Sequence, residues 1–342
     1  RFDGTMMLAN ARTDTAAPNT PWRLSAKLKA DPAKAKLEQL EASYGGDESA
    51  LKLSGVADLR FGATPLLQAL LSARQIDADK ALTKQNGSSE PVQLLPALRA
   101  LVMALPQPPL PTQIDVNAER LMLGGRPVQD LDLTLRAAAG AWSVDRLEVR
   151  APGATNVSIR GAVAASDASG SFDGTLKLDS SDPGTFAAWL AGRSEPLSRN
   201  QKPLHVSGNV RFATDHVSVD GLQADVDGGR IAGRLLWAAH DASAGGSVFT
   251  ADLKADRLDL DAAMAFVRTI GIPQADWPDR GRLSLDIAQA ISSGQQLQPF
   301  VARLGYEPKR VTLEQLHVGQ AGGLVVDGAG AFNRDDATGH LM

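Results

Sequence analysis

The chain of 342 residues contains no cysteine, which excludes disulfide staples and thiolate chemistry. Aromatic residues make up only 5%. That is thin for large interlocked cores, yet 43% of residues are hydrophobic and need a face to bury. Lys and Arg are scattered and the formal net charge is -4, which argues against nucleic acid as a partner. No apolar run is long enough to span a bilayer: the most apolar stretch, Val92–Leu105, is short and is interrupted by Pro96 and Arg99. No signal peptide is evident. Arg1 stands where an initiator Met would, so we expect a fragment whose targeting segments lie elsewhere.

Catalytic signatures are missing too. There is no Walker A loop, G-x-G-x-x-G, G-x-S-x-G or H-E-x-x-H. His205, His216, His240, His317 and His340 have no metal spacing. "SALK" at 49–52 matches S-x-x-K without its companion motifs. "DVDGG" at 225–229 opens like a calcium loop that no glutamate closes, and reads as a glycine turn. Asp256, Asp259 and Asp261 in "ADRLDLD" fit strand alternation followed by helix capping by Asp261. We therefore expect a non-enzymatic protein with no metal or cofactor.

What is present is alternation that slips. In "VTLEQLHV" (311–318), Val311 and Leu313 alternate with polar residues, and Leu316 and Val318 do so in the opposite phase. The pattern apolar–acidic–x–Leu occurs four times: "LEQL" at 37–40, "VDRL" at 144–147, "VDGL" at 219–222 and "LEQL" at 313–316. An alternating strand and a turn precede each copy, and glycines and an apolar pair follow it. This predicts four hairpins with a slipped second strand. Two accounts fit the slip. One is a β-bulge, whose extra residue lets the apolar face resume on the same side. The other is a corner where a strand crosses between the sheets of a sandwich. The bulge, or corner, is expected at Glu38-Gln39, Asp145-Arg146, Asp220-Gly221 and Glu314-Gln315.

The motif divides the chain into units 1–112, 113–200, 201–275 and 276–342, the last truncated. Strands are expected to end near Leu135, Val149, Ile159, Phe212, Leu285 and Val318. Helices are expected over 65–74, from Leu66, Leu67, Leu70 and Leu71; over 92–104; over 183–192, capped by Asp182; and over 261–270. "PQPPLP" at 106–111 is the best linker candidate. The expected fold is mainly β: an elongated, repeat-built, twisted and mostly antiparallel sheet, curved into an apolar groove and carrying short helical inserts.

Segments such as "GRPVQDLDLTLRAAAGAWSVDRLEVRAPGATNVSIRGAV" (125–163), "ARLGYEPKRVTLEQLHVGQAGGLVVDGAGAF" (302–332), "LKADRLDLDAAM" (253–264) and "YGGDESALKLSGVADLRFG" (44–62) resemble the AsmA family of Gram-negative envelope proteins. The likeness runs over nearly the whole chain and rests on strands and glycines, not on a catalytic signature. It implies a bridge-type lipid transfer protein of the periplasm, tethered to the inner membrane by an upstream anchor. The implied role is in outer-membrane biogenesis: a hydrophobic β-groove shields phospholipid acyl chains between the inner and outer membranes. Its partners would be phospholipid and components of both membranes. The groove candidates are Leu133, Leu135, Val144, Leu147, Val149, Ile159, Val210, Phe212, Val219, Leu222, Leu313 and Leu316. Transfer of acyl chains from water to such a wall gains about 0.8 kcal/mol per CH₂, so a groove apolar along its length works passively. The rival reading is a structural scaffold for outer-membrane proteins that carries no lipid.

Overall fold

The computed structural model describes residues 1–9, 22–44, 51–79, 110–138, 141–164, 171–193, 195, 202–213, 215–226, 228–238, 246–270, 278–320 and 323–342. The chain is mainly β, 76% strand, and forms two compact units, Arg1–Asp167 and Ala168–Met342. Each unit contains two of the four slip motifs.

In the first unit, nine strands follow one another: β1 (Phe2–Ala9), β2 (Trp22–Ala30), β3 (Lys34–Tyr44), β4 (Leu51–Arg60), β5 (Leu66–Asp77), β6 (Thr112–Leu123), β7 (Arg126–Ala138), β8 (Ala141–Ala151) and β9 (Thr155–Ala164). Each pairs with the next. All pairings are antiparallel except β5–β6, which is parallel and therefore needs the long connection between them.

The second unit repeats this plan. Its strands are β10 (Ser171–Ser180), β11 (Leu204–Phe212), β12 (His216–Val226), β13 (Gly229–Ala238), β14 (Val248–Asp259), β15 (Arg280–Ser292), β16 (Gln295–Tyr306), β17 (Arg310–Gln320), β18 (Val325–Asn333) and β19 (Thr338–Leu341). Again one pairing is parallel, β14–β15, five strands into the unit. Helix α1 (Pro183–Leu190) follows β10, and α2 (Leu260–Ile270) lies in the crossover after β14. "FDGT" at 2–5 and at 172–175 falls in the first strand of each unit.

All four slips are bulges. In β3, Leu37 and Leu40 lie opposite Ala57 and Gly55, so Glu38 and Gln39 together face only Val56. In β8, Val144 and Leu147 lie opposite Gly161 and Ile159. In β12, Val219 and Leu222 lie opposite Leu235 and Gly233. In β17, Leu313 and Leu316 lie opposite Gly330 and Gly328. Both halves of each slipped strand keep the same two neighbours, so the sandwich-corner account is excluded. The acid of the motif is placed on the polar side, where it can meet a base. Lys29 Nζ lies 2.7 Å from Glu38 Oε2, Arg136 Nη2 2.8 Å from Asp145 Oδ2, and Arg282 Nη2 3.8 Å from Glu314 Oε1. The Lys29 hydrogen bond holds the Glu38 carboxyl below its usual range. That pair contributes at neutral pH and is lost as pH falls through the lowered value.

Two devices recur in both units that the slip motif does not announce. The two-residue turns Gly124-Gly125 and Ser293-Gly294 have positive φ at both positions, the type I′ pattern of tight hairpins. Each is pinned by an aspartate that follows the preceding parallel strand. Asp79 accepts from the Gly124 and Gly125 N–H groups at 2.6 and 2.8 Å, and Asp261 accepts from the Ser293 N–H at 2.6 Å.

Several expectations need correction. Residues 66–77 form strand β5, not a helix. The Leu66, Leu67, Leu70, Leu71 spacing satisfies a helical stripe, but ladders on both sides claim the segment as a strand. Leu285 lies mid-strand in β15, which runs on to Ser292. The cap of α2 is Asp259, whose Oδ1 accepts the Ala262 N–H at 2.9 Å; Asp261 serves the neighbouring turn. The helix expected over 92–104 and most of the proline-rich break fall outside the described residues. Helix α1 forms as expected, with the Asp182 side chain accepting the Thr185 N–H at 3.0 Å.

Two glycines separate two kinds of constraint. Gly221, in the β12 bulge, has φ 59°, and a β-carbon there would meet only Asn209 Nδ2, at an ordinary contact distance of 3.9 Å. Gly233 is opposite Leu222, and a β-carbon there would overlap the Asp252 carbonyl oxygen. Gly221→Ala is expected to cost about 1–2 kcal/mol for left-handed backbone alone. Gly233→Ala should cost more, because β14 must move. Urea unfolding of the two variants checks the order.

Candidate functional site

Paired residues in a ladder point to the same side of the sheet, so the registers define each face. In the first unit one row runs Leu28–Leu37–Ala57–Ala69–Ile114–Leu135–Val144. The next row runs Leu40–Gly55–Leu71–Val116–Leu133–Leu147–Ile159. These rows are wholly apolar. The opposite face carries Lys29–Lys36–Asp58–Gln68–Gln113–Arg136–Ser143. The second unit has the same arrangement. One apolar row runs Val210–Val219–Leu235–Ala251–Leu283–Leu304–Leu313, and the next runs Leu222–Gly233–Leu253–Leu285–Ala302–Leu316.

The twelve groove candidates fall on these faces. In the first unit, Leu133 pairs with Leu147 and that with Ile159. Leu135 pairs with Val144, and Val149 lies two residues beyond Leu147 on the same side. In the second unit, Val210 pairs with Val219, Phe212 shares the face of Val210, and Leu222, Leu313 and Leu316 lie in the two rows just described. The candidates thus form one group of six in each unit. Val210 is buried, and the other eleven are half-buried.

Sequence reasoning left the central strands out of the groove, although it expected a strand near Leu285. Ala69, Leu71, Ile114 and Val116, with Ala251, Leu253, Leu283 and Leu285, join the outer candidates into continuous rows. Their alternation was visible, but the slip motif does not occur in β5, β6, β14 or β15. A second phase change was also missed. Ile76, Leu121 and Val128 in one unit, and Leu258, Ala290 and Leu297 in the other, return to the apolar face in step across three strands.

Exposure shows how the faces differ. Leu40 is 3% exposed on the apolar face, whereas Leu70 is 54% exposed on the polar one. In the second unit, Ile287 is 1% exposed and Leu236, on the polar face, 39%. Side chains crowd on the apolar face and splay on the other, as on the inner and outer sides of a curved sheet. The crowding is lateral. One cluster, Ala26, Leu40 and Ala57 with Leu24, Leu37, Leu67, Ala69 and Leu71, draws only on β2–β5. The other, Ala255, Ile287 and Ala290 with Ile231, Leu258, Leu260, Leu285, Leu297 and Phe300, draws on β13–β16 and the first residue of α2.

The polar face offers less. An open hollow of about 570 Å³ lies beside the β12 bulge, but its cations and anions are matched, with Arg234 Nε 2.7 Å from Asp252 Oδ2. The equivalent ladder positions in the first unit are Val56 and Leu70, so the hollow's charge pair is not a repeated feature. His317 Nδ1 lies 2.6 Å from Asp327 Oδ1 across a ladder pair on this face. Among the described residues no cluster of His, Asp or Glu could hold a metal ion, and no helix is long and apolar enough to cross a membrane. Comparison of the chain with family models, with characterised proteins and with solved structures returned no match.

On the apolar face the cost of truncation depends on how closely neighbours crowd a side chain: Ile287 is buried and Leu316 only half-buried. Leu316→Ala is expected to cost about 1–2 kcal/mol, below the range of about 2–5 kcal/mol typical for core leucines. Ile287→Ala should reach the core range. Equal losses in denaturant unfolding would mean that Leu316 is as fully covered as Ile287.

Proposed function

We propose that the protein is a non-enzymatic lipid-handling protein of the Gram-negative envelope, shielding phospholipid acyl chains in a hydrophobic β-groove between the inner and outer membranes. The observation that carries this reading is the apolar face itself, continuous from β2 to β9 in the first unit and from β11 to β17 in the second and, Leu260 of α2 apart, packed sideways among the described residues. A sheet whose apolar rows leave most of their leucine, valine and isoleucine partly exposed, between buried members such as Leu40 and Val210, is arranged for an apolar occupant. Acyl chains supply one without directional contacts, which suits a face that offers no polar anchor within its rows. The resemblance to AsmA proteins points the same way and supplies the periplasmic setting, with an inner-membrane tether in the parent protein. The chemistry requires no catalytic group: removing CH₂ groups from water is favourable at every point of a uniform wall.

Leu147 sits mid-row between Leu133 and Ile159, so Leu147→Arg tests the reading. On an open wall the guanidinium reaches water along its flexible stem. The variant should stay folded in a thermal melt while photo-crosslinking from positions 133 and 159 to phospholipid falls sharply. Unfolding would mark a closed core, where an unpaired charge is intolerable. Native mass spectrometry of the wild-type chain should show bound phospholipid. If wild-type crosslinks never contain lipid, a lipid-free scaffold takes the place of this reading.

A further inference from the structure

The apolar face of the second unit is not the same at its two ends. At one end a single ladder row carries Phe172, Phe212, Trp237, Phe249, Tyr306 and Phe332, aligned through successive pairs from β10 to β18. Six of the sixteen aromatic residues of an aromatic-poor chain therefore stand in one line. The corresponding row of the first unit, Phe2, Ala30, Ala35, Leu59, Leu67, Thr112, Ala137, Trp142 and Val163, carries two aromatics, one at or beside each margin, with small or aliphatic residues and one threonine between them. Directly beyond the aromatic row lie charged turns. Arg334 Nη1 donates to the Tyr306 hydroxyl at 3.2 Å, with the guanidinium carbon 5.6 Å from the ring centroid. Lys309 and Arg310 follow in the adjacent turn and strand start.

The other end is closed by apolar packing. Helices α1 and α2 leave β10 and β14 at that end and pack against each other. Phe186, Ala187, Ala188 and Trp189 of α1 are buried, and Leu260 of α2 joins the Ile287 cluster. Between the ends, from Phe212 to Leu204, the strand runs eight residues, about 26 Å. One leaflet's acyl chains occupy about half of a hydrocarbon core of roughly 30 Å, so a whole chain fits along a strand.

We propose, resting on the lipid reading above, that phospholipid in the second unit lies along the strands in one orientation. Its glycerol and headgroup sit at the aromatic row and its chain ends point toward α1 and α2. Trp and Tyr rings prefer the boundary between hydrocarbon and water, where the ring is apolar and its N–H or O–H is solvated. Arg334, against the Tyr306 ring, places a cation where a phosphate would emerge, and Lys309 beside it is paired with Asp335 at 3.0 Å. At the helix end the aromatics of α1, Phe186 and Trp189, are buried against each other instead of standing in a ladder row.

The intact chain is incubated with phosphatidylcholine vesicles doped with one of two probes. These are a phospholipid bearing a diazirine on the glycerol-proximal part of an acyl chain, and one bearing it at the chain terminus. Photolabelled residues are located by mass spectrometry. The proximal probe should mark Phe212, Trp237 and Phe249 in several-fold excess over Val206, Ile231 and Leu258, and the terminal probe should show the reverse preference. Labelling of the apolar face with no bias, or with the opposite bias, overturns the orientation and leaves the lipid reading standing. Absence of labelling on that face by both probes, or its replacement by crosslinks between copies of the chain, overturns both.

Discussion

The structure depends on keeping side-chain alternation in phase with the ladder. A strand whose alternation drifts by one residue turns its leucines into solvent and its charges onto the apolar side. Strands of 9–13 residues, such as β2–β8, in a twisting sheet need a point at which bend and twist are absorbed. The bulge supplies that point. Two residues oppose one, and Leu37 and Leu40, or Leu313 and Leu316, face the same side although three positions separate them. The acid between them is left on the wet side, beside Lys29 in β2 and Arg282 in β15. The motif therefore encodes a bend and the polarity of the sheet together.

A single layer with one apolar face has a weaker core than a sandwich. Its stability comes from ladder hydrogen bonds and from sideways packing of neighbours on the inner side of the curve. Alanines carry much of this: Ala57, Ala118, Ala251, Ala290 and Ala302 are each nearly or wholly inaccessible. Small residues let the flanking leucines converge without overpacking. The arrangement leaves much apolar surface in contact with solvent, a large free-energy burden for a protein with no occupant. The same surface is the functional asset in a protein that carries hydrocarbon.

The two units share more than the motif. Both place a parallel pairing after five strands, pin a type I′ turn with an aspartate from the crossover, and put glycine opposite the bulge where another strand's carbonyl approaches, at Gly55 and Gly233. The second unit adds an aromatic row at one end of its apolar face and paired helices at the other, features that break the equivalence of the strand ends. An amphipathic ligand on that face meets two different boundaries.

Sequence alone determined the β-class, the positions of the four slips and helix α1, because each rests on local chemistry: alternation with a one-residue slip, and an aspartate before proline; that the slips are bulges and not sandwich corners was decided by the pairing. It also placed the twelve candidates in the correct phase within their own strands. It did not reveal β5, since four leucines at 66, 67, 70 and 71 suit a helix or a strand, and only pairing with β4 and β6 decides between them. Nor did it show the nine-strand period, because the motif marks two strands in nine and says nothing of the parallel partners. Tertiary structure alone joined residues as distant as Ala69 and Ile114 into one apolar row. Pairing register is a relation between strands, and no single strand carries it.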